Sequence, residues 1–226
     1  MAIILNIDTA TEAGSVCLAA DGRVLGSRAS NQQRDQAAVI APYIAELFAE
    51  AGIAPSTLDA VAITGGPGSY TGLRVSAASA KGLCYALDVP LIAVPTLEVM
   101  AGARMAEGGG EADTLYCPVI EARRMDVFGA LYDSRLELQV PAGAMTLDGH
   151  FLAAYRESPV EVFGTGMEKC ERVFGSLASW RFVPFLNDAS QLVPFSEKAF
   201  LEKRFEDLAY FDPYYLKAFY QPGKPA

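Results

Sequence analysis

One histidine, His150, stands in a chain of 226 residues. That scarcity excludes zinc proteases with paired histidines, two-histidine facial triads and most imidazole-built metal sites. A Ser-His-Asp hydrolase would have to use His150, in the turn-like Asp148-Gly149-His150, where a solvated loop histidine is the plainer reading. Basic charge is scarce as well: 18 Lys and Arg stand against 27 Asp and Glu, a net charge of −9. Residues 1–110 carry 6 basic and 10 acidic groups and the remainder 12 and 17, so neither half is basic. A protein that grips nucleic acid alone is expected to show a basic stripe, and none is present. No apolar run reaches the ~18 residues of a membrane span. Met1 to Asp8, interrupted by Asn6 and Asp8, is too short for a secretory signal. The four cysteines, Cys17, Cys84, Cys117 and Cys170, form no C-x-x-C pair and three lie among apolar neighbours. Buried, reduced thiols in a cytoplasmic protein are the expectation.

What the chain does contain is a doubled pattern. Ile3 to Ile7 is apolar and ends at Asp8; Gly14 to Ala20 reads as a strand, Asp21-Gly22 as a hairpin turn, and Arg23 to Arg28 as a third strand. Thr114 to Ile120 likewise ends at Glu121, followed by Val127 to Tyr132, a turn at Asp133-Ser134, and Arg135 to Val140. Strand, acid, hairpin and third strand, twice, is an internal repeat. The texture changes between the copies: residues 1–110 hold 4 of the 23 aromatics. The glycine run Gly108-Gly109-Gly110 predicts a boundary between lobes 1–108 and 109–226, with the last helix and tail able to pack back on the first lobe. Helical spacing marks Gln32 to Ala51, Gly72 to Leu87, Thr96 to Ala106, a stretch near Leu147 to Tyr155, Met167 to Gly175, and Ser196 to Leu208. Strands are predicted at Asp59 to Thr64, Leu91 to Val94 and Val160 to Phe163. The class is α/β.

Three features could carry chemistry. Thr64-Gly65-Gly66-Pro67-Gly68-Ser69-Tyr70-Thr71-Gly72-Leu73-Arg74 joins a strand to a helix, a junction where free amides can hold an anion. Asp8, Gly66, Gly68, Ser69, Thr71 and Gly72 are the candidate anion or nucleotide contacts; a tight structural turn is the alternative. The known fingerprints fail: no Gly-Lys pair precedes the helix, Thr71 takes the third glycine position of G-x-G-x-x-G, and Gly68 directly precedes Ser69. The strand-end acids Asp8 and Glu121 could hold Mg²⁺ through water in an interlobe cleft, or cap turns. The helix Gly72 to Leu87 is small-sided, through Ser76, Ala77, Ala78, Ser79, Ala80 and Gly82, beside an alanine-lined helix. Together they offer a flat surface to another subunit, with dense internal packing as the alternative. The aromatic tail around Tyr214 has only Lys217 and Lys224 nearby, so docking is favoured over base stacking.

These residues resemble the bacterial TsaB (YeaZ) family. Ile7-Asp8-Thr9-Ala10-Thr11, Gly66 to Arg74, and Glu121-Ala122-Arg123-Arg124 match it, and Asp212-Pro213-Tyr214-Tyr215-Leu216-Lys217 is similar to its closing segment. The resemblance implies the duplicated actin-like, ribonuclease H-like fold of actin, sugar kinases and heat-shock ATPases. It implies a non-catalytic accessory role in placing threonylcarbamoyl on the adenosine beside the tRNA anticodon. The catalytic partner would be the larger, histidine-bearing paralogue TsaD, joined by the ATPase TsaE and supplied by TsaC. It further implies homodimers when alone, tRNA contact only through the complex, no intrinsic cofactor or metal, and ATP or ADP with Mg²⁺ only at the partner interface. That interface would fall on the two N-terminal-lobe helices, at Gln36, Val39, Ile40, Tyr43, Leu47, Arg74, Ser76, Ala78, Ser79 and Gly82. Four departures are visible: Gln36 stands where many members have histidine, Ser76 for a usual glycine, Glu121 for aspartate, and Met125-Asp126 for Gly-Glu. The competing reading is a stand-alone ATPase or kinase using Asp8 and the Gly66–Gly72 loop, weakened by the missing lysine; fold alone does not supply an activity. A peptidase lacks its ligands.

Overall fold

The computed structural model describes residues 1–30, 36–108 and 113–216. Two five-stranded sheets carry the fold. Sheet one contains β1 (Ile3–Asp8), β2 (Ser15–Ala20), β3 (Arg23–Ala29), β4 (Ala60–Thr64) and β5 (Leu91–Val94), in the order β3-β2-β1-β4-β5. Sheet two contains β6 (Leu115–Glu121), β7 (Asp126–Tyr132), β8 (Leu138–Thr146), β9 (Val160–Phe163) and β10 (Trp180–Val183), in the order β10-β9-β6-β7-β8. Counted within its own lobe, each sheet runs 3-2-1-4-5, with the first three strands antiparallel and the last two parallel to the first. The protein therefore has the duplicated two-lobe actin-like fold, and the doubled sequence pattern is its local signature.

Helices cover both faces of sheet one, which is why β4 reads as a continuous apolar run from Ala60 to Ile63 rather than an alternating one, and β1 is apolar on both faces but for Asn6 and the terminal Asp8. On one face α1 (Gln36–Ala51) and α2 (Tyr70–Leu87) enclose Leu5, Ile7, Val16, Leu18, Val61 and Ile63. Full burial of each such large side chain contributes about 1.5–3 kcal/mol. On the other face lie a 3-10 turn (Ala189–Leu192) and α5 (Val193–Leu201), packed on Ile4, Ala60, Ala62 and Ile92. The chain thus returns to lobe one after finishing sheet two. Between the lobes, α3 (Thr96–Ala106) sets Leu97, Met100 and Ala101 against Tyr116, Ile120 and Phe163 of sheet two. The far face of sheet two is covered by α4 (Met167–Phe174), where Phe151, Phe174 and Trp180 pack ring against ring.

Several expected elements shift, each for a local reason. The lobe-one hairpin is as expected, with Asp21 and Gly22 both at positive φ, as a two-residue turn requires. In lobe two the Asp133 carboxylate takes the amides of Arg135 and Glu137, each at 2.9 Å, so β8 starts at Leu138 instead of Arg135. The stretch Leu147 to Tyr155 is not a helix beyond a 3-10 turn at Ala153–Tyr155. There Asp148 accepts the His150 amide at 2.8 Å and Leu152 adopts φ 44°, both incompatible with a continuing helix. The last helix is α5, ending at Leu201 just before Lys203 at φ 54°, and residues 202–216 form an irregular tail with a turn at 208–210. β10 was not expected at all. Residues 32–35 of the first expected helix, Gly109-Gly110-Glu111 of the expected boundary, and residues 217–220 of the aromatic tail lie outside the described residues.

Candidate functional site

Asp8 ends β1 at the centre of sheet one and is buried. Its Oδ1 accepts the Ala10 amide at 2.9 Å and the Thr64 hydroxyl at 2.7 Å, and its Oδ2 accepts Asn187 Nδ2 at 3.4 Å. Burial raises the Asp8 pKa and nearby Asp188 adds to the rise, while those three hydrogen bonds work against it. The carboxyl is tied to β4 and to the segment that returns from lobe two. Such a group holds the end of β1 in place; a metal there would compete with these donors. Asn187 is 179 residues away in sequence, so nothing local to either residue signals the pairing.

The Gly66–Gly72 loop wraps this strand end. Ser69 donates its amide to Ala10 O at 2.7 Å, and its hydroxyl caps α2 by accepting the Gly72 amide at 3.2 Å. The Gly66 amide donates to Thr96 Oγ1 at 3.2 Å and the Gly65 amide to Val94 O at 2.8 Å. Those four amides are engaged within the protein, which favours the structural turn over an anion cradle built on them. The glycines explain themselves by proximity: a Cβ on Gly68 would overlap the Ala10 carbonyl, and one on Gly72 the Thr9 carbonyl. Gly66, at φ +107°, also meets the Tyr214 carbonyl. Thr71 is exposed at the start of α2.

Glu121 does not mirror Asp8. Its carboxylate is half-exposed and lies 3.1 Å from Lys169 Nζ, which also donates to the carbonyls of Ala122 and Arg124. Among the described residues the two acids share no partner; of the two readings, cleft ligand or turn cap, these local contacts favour the cap, each acid closing a corner of its own lobe. Lys169 was not singled out from the sequence, because a lysine one turn into a helix is an ordinary surface residue. His150 is exposed, and lines a cavity of about 460 Å³ whose walls include Val140, Met145 and Phe151, with Asp148 as its charged neighbour. The cysteines are buried free thiols, and burial pushes Cys17 and Cys170 up to about 12 and Cys84 to about 11, leaving them protonated and unreactive.

The expected interface residues separate into two groups. Gln36, Ile40, Leu47 and Ser76 are buried, so these four cannot form an outer surface. Ile40 and Leu47 belong to the core under α1, and Ser76 Oγ donates to Leu73 O. Gln36 Nε2 donates to the carbonyls of Thr11 at 2.8 Å and Glu12 at 3.1 Å, holding the turn after β1. Val39, Tyr43 and Ser79 are half-buried, whereas Arg74, Ala78 and Gly82 are exposed. The exposed positions of these helices include Ala37, Ala38, Ala41, Ala45 and Ala49 with Pro42, Glu46 and Glu50 on α1, and Arg74, Ala78, Gly82, Tyr85 and Ala86 on α2. Tyr85 is 86% exposed, and a Cβ at Gly82 would touch nothing within 4 Å among the described residues. At the start of α2, Tyr70 packs against Tyr215 of the tail at 5.0 Å and lies under the Arg74 guanidinium at 5.5 Å.

Comparison with known proteins agrees with this architecture. The family model described as TsaD, tRNA N6-adenosine threonylcarbamoyltransferase, matches residues 23–149, more than half of the chain. The chain is 31% identical over 225 residues to the tRNA threonylcarbamoyladenosine biosynthesis protein TsaB of Bacillus subtilis, covering 95% of this chain and 93% of that protein. It is 36% identical over 129 residues to the TsaB protein of Escherichia coli, covering 57% of this chain and 54% of that one. Among solved structures, YeaZ from Pseudomonas aeruginosa superposes with a TM-score of 0.77 at 26% identity, covering 96% of this chain and all of that one. With the doubled sheet order, the Gly66–Arg74 motif seated on Thr9 and Ala10, and this near full-length relationship, the chain belongs to the TsaB (YeaZ) family.

Proposed function

We propose that this protein serves in tRNA threonylcarbamoyladenosine biosynthesis as a non-catalytic accessory subunit that binds and stabilises a TsaD-like paralogue. The observation that carries the reading is the open face of α1 and α2. It combines small apolar side chains that let a second helix approach closely with an exposed tyrosine at one end. Support comes also from Asp8, whose carboxyl is spent on internal hydrogen bonds, and from the charge of −9, which leaves tRNA contact to the assembled complex. In this reading a TsaE-like ATPase completes the assembly, ATP or ADP with Mg²⁺ binds at the partner interface, and the same face forms a homodimer when the partner is absent. The work takes place in the cytoplasm.

The test is tRNA modification by purified TsaC, TsaD and TsaE with and without this chain. Strong stimulation by the chain, together with no ATP hydrolysis by the chain alone, is the expected result. Unchanged modification, or turnover of ATP by the isolated chain that Asp8→Asn abolishes, would overturn it in favour of an independent ATPase.

A further inference from the structure

Sheet one has an open edge at β5, and the tail covers it incompletely. The Glu206 amide donates to Leu91 O at 2.9 Å in an isolated antiparallel bridge, after which the tail leaves the edge and returns where the Tyr214 amide donates to Gly65 O at 2.7 Å. Between these two points lies a cleft of about 390 Å³. β5 pairs with β4 through alternate residues, with Val61 N on Pro90 O and Gly65 N on Val94 O. The same alternation that sends Leu91 O outward to Glu206 sends the amide and carbonyl of Ala93 outward as well, into the cleft. Among the described residues neither group has a partner on that side. An unpaired donor and acceptor on a sheet edge form a template for one more strand.

The rim of the cleft has one sign of charge. Glu206 and Asp212 both line it, both are exposed, and neither forms a salt bridge among the described residues. Tyr210, 86% exposed, and Tyr214, 56% exposed, stand beside them. Carboxylates with aromatic faces are the surroundings that hold a guanidinium or ammonium group, by ion pairing and by attraction to the ring. We propose that this gap is a docking slot for an extended basic segment of a partner protein. The segment pairs its backbone with Ala93 and directs an arginine or lysine toward Glu206 and Asp212, in the manner of strand addition. The slot lies on the β5 edge rather than on the open α1–α2 face, so it is independent of the interface proposed above.

The test measures binding to the full chain of a fluorescently labelled peptide of alternating valine and arginine, against its valine–glutamate counterpart. Tenfold or greater preference for the arginine peptide is expected. Glu206→Lys combined with Asp212→Lys should weaken it at least tenfold. Ala93→Pro, which removes the outward amide at an edge-strand position, should do the same. A peptide N-methylated along its backbone separates strand pairing from simple charge attraction without altering the protein, and it too should lose at least tenfold. No binding, equal binding of the two peptides, or binding that survives both N-methylation and Ala93→Pro overturns the proposal. So does binding seen only after truncation following Leu216, which would give the slot to the chain's own C-terminal residues.

Discussion

The Thr9 hydroxyl donates to the Gly72 carbonyl at 2.6 Å, across a contact so close that a methyl group on Gly72 would overlap the Thr9 carbonyl oxygen. The turn after β1 and the first turn of α2 are therefore one packed unit, and the glycine-rich motif is its closure. The same motif in an actin-like fold invites a nucleotide reading, and here the backbone of Thr9 and Ala10 occupies the space its glycines leave.

Gly72→Ala and Gly82→Ala should have opposite signs. At Gly72 the added methyl must push α2 away from Thr9, costing about 1–3 kcal/mol or more. At Gly82, exposed in the same helix with nothing within 4 Å among the described residues, alanine should stabilise by up to about 1 kcal/mol. Urea unfolding of the two variants checks both; a neutral Gly72→Ala would mean that the contact opens readily.

Ala78→Arg places a long cation in the middle of the open α1–α2 face. Co-purification with the TsaD-like partner should fall at least tenfold while circular dichroism and thermal unfolding remain those of the parent, because Ala78 is exposed in the free chain. Retained binding would move the interface elsewhere.

Asp8 has a pKa raised by burial, so the folded state holds its proton more tightly than the unfolded chain does. Its contribution to stability is complete below the unfolded value of about 3.8 and is lost as pH rises through the folded value. Asp8→Asn cannot ionise. The stability of the parent relative to Asp8→Asn should therefore decline as pH rises from about 3.5 toward neutrality, as read from denaturant curves at each pH; a flat difference contradicts the assignment.

Arg104 on α3 lies 2.5 Å from Glu161 on β9 and joins the lobes through a carboxylate that is fully buried, with one oxygen left unpartnered among the described residues. Removing the cation alone strands a buried charge. Arg104→Met should cost about 3–5 kcal/mol, and the double variant with Glu161→Gln should recover a large part of it. Additive losses in a double-mutant cycle would show that the pair is not coupled.

Much of this protein was legible locally. Short apolar runs ending in an acid and the Asp21-Gly22 turn are short-range signals, so the doubled strand-acid-hairpin pattern identified two related sheets, and the Gly66–Arg74 stretch marked its strand-to-helix junction. Helical spacing likewise marked α1 and α2, yet it could not say which apolar residues face inward: Ile40 and Leu47 are core, and Gln36 and Ser76 are buried polar groups satisfied by backbone carbonyls. Nor could it show that Asp8 is held by Asn187, or that the tail leaves Ala93 unpaired among the described residues. The reason is physical. Periodicity and turn chemistry depend on neighbours within a few residues, whereas burial and polar satisfaction depend on groups brought together from anywhere in the chain. The family could be read from the one; the roles of Asp8, Gly72 and the β5 edge were decided by the other.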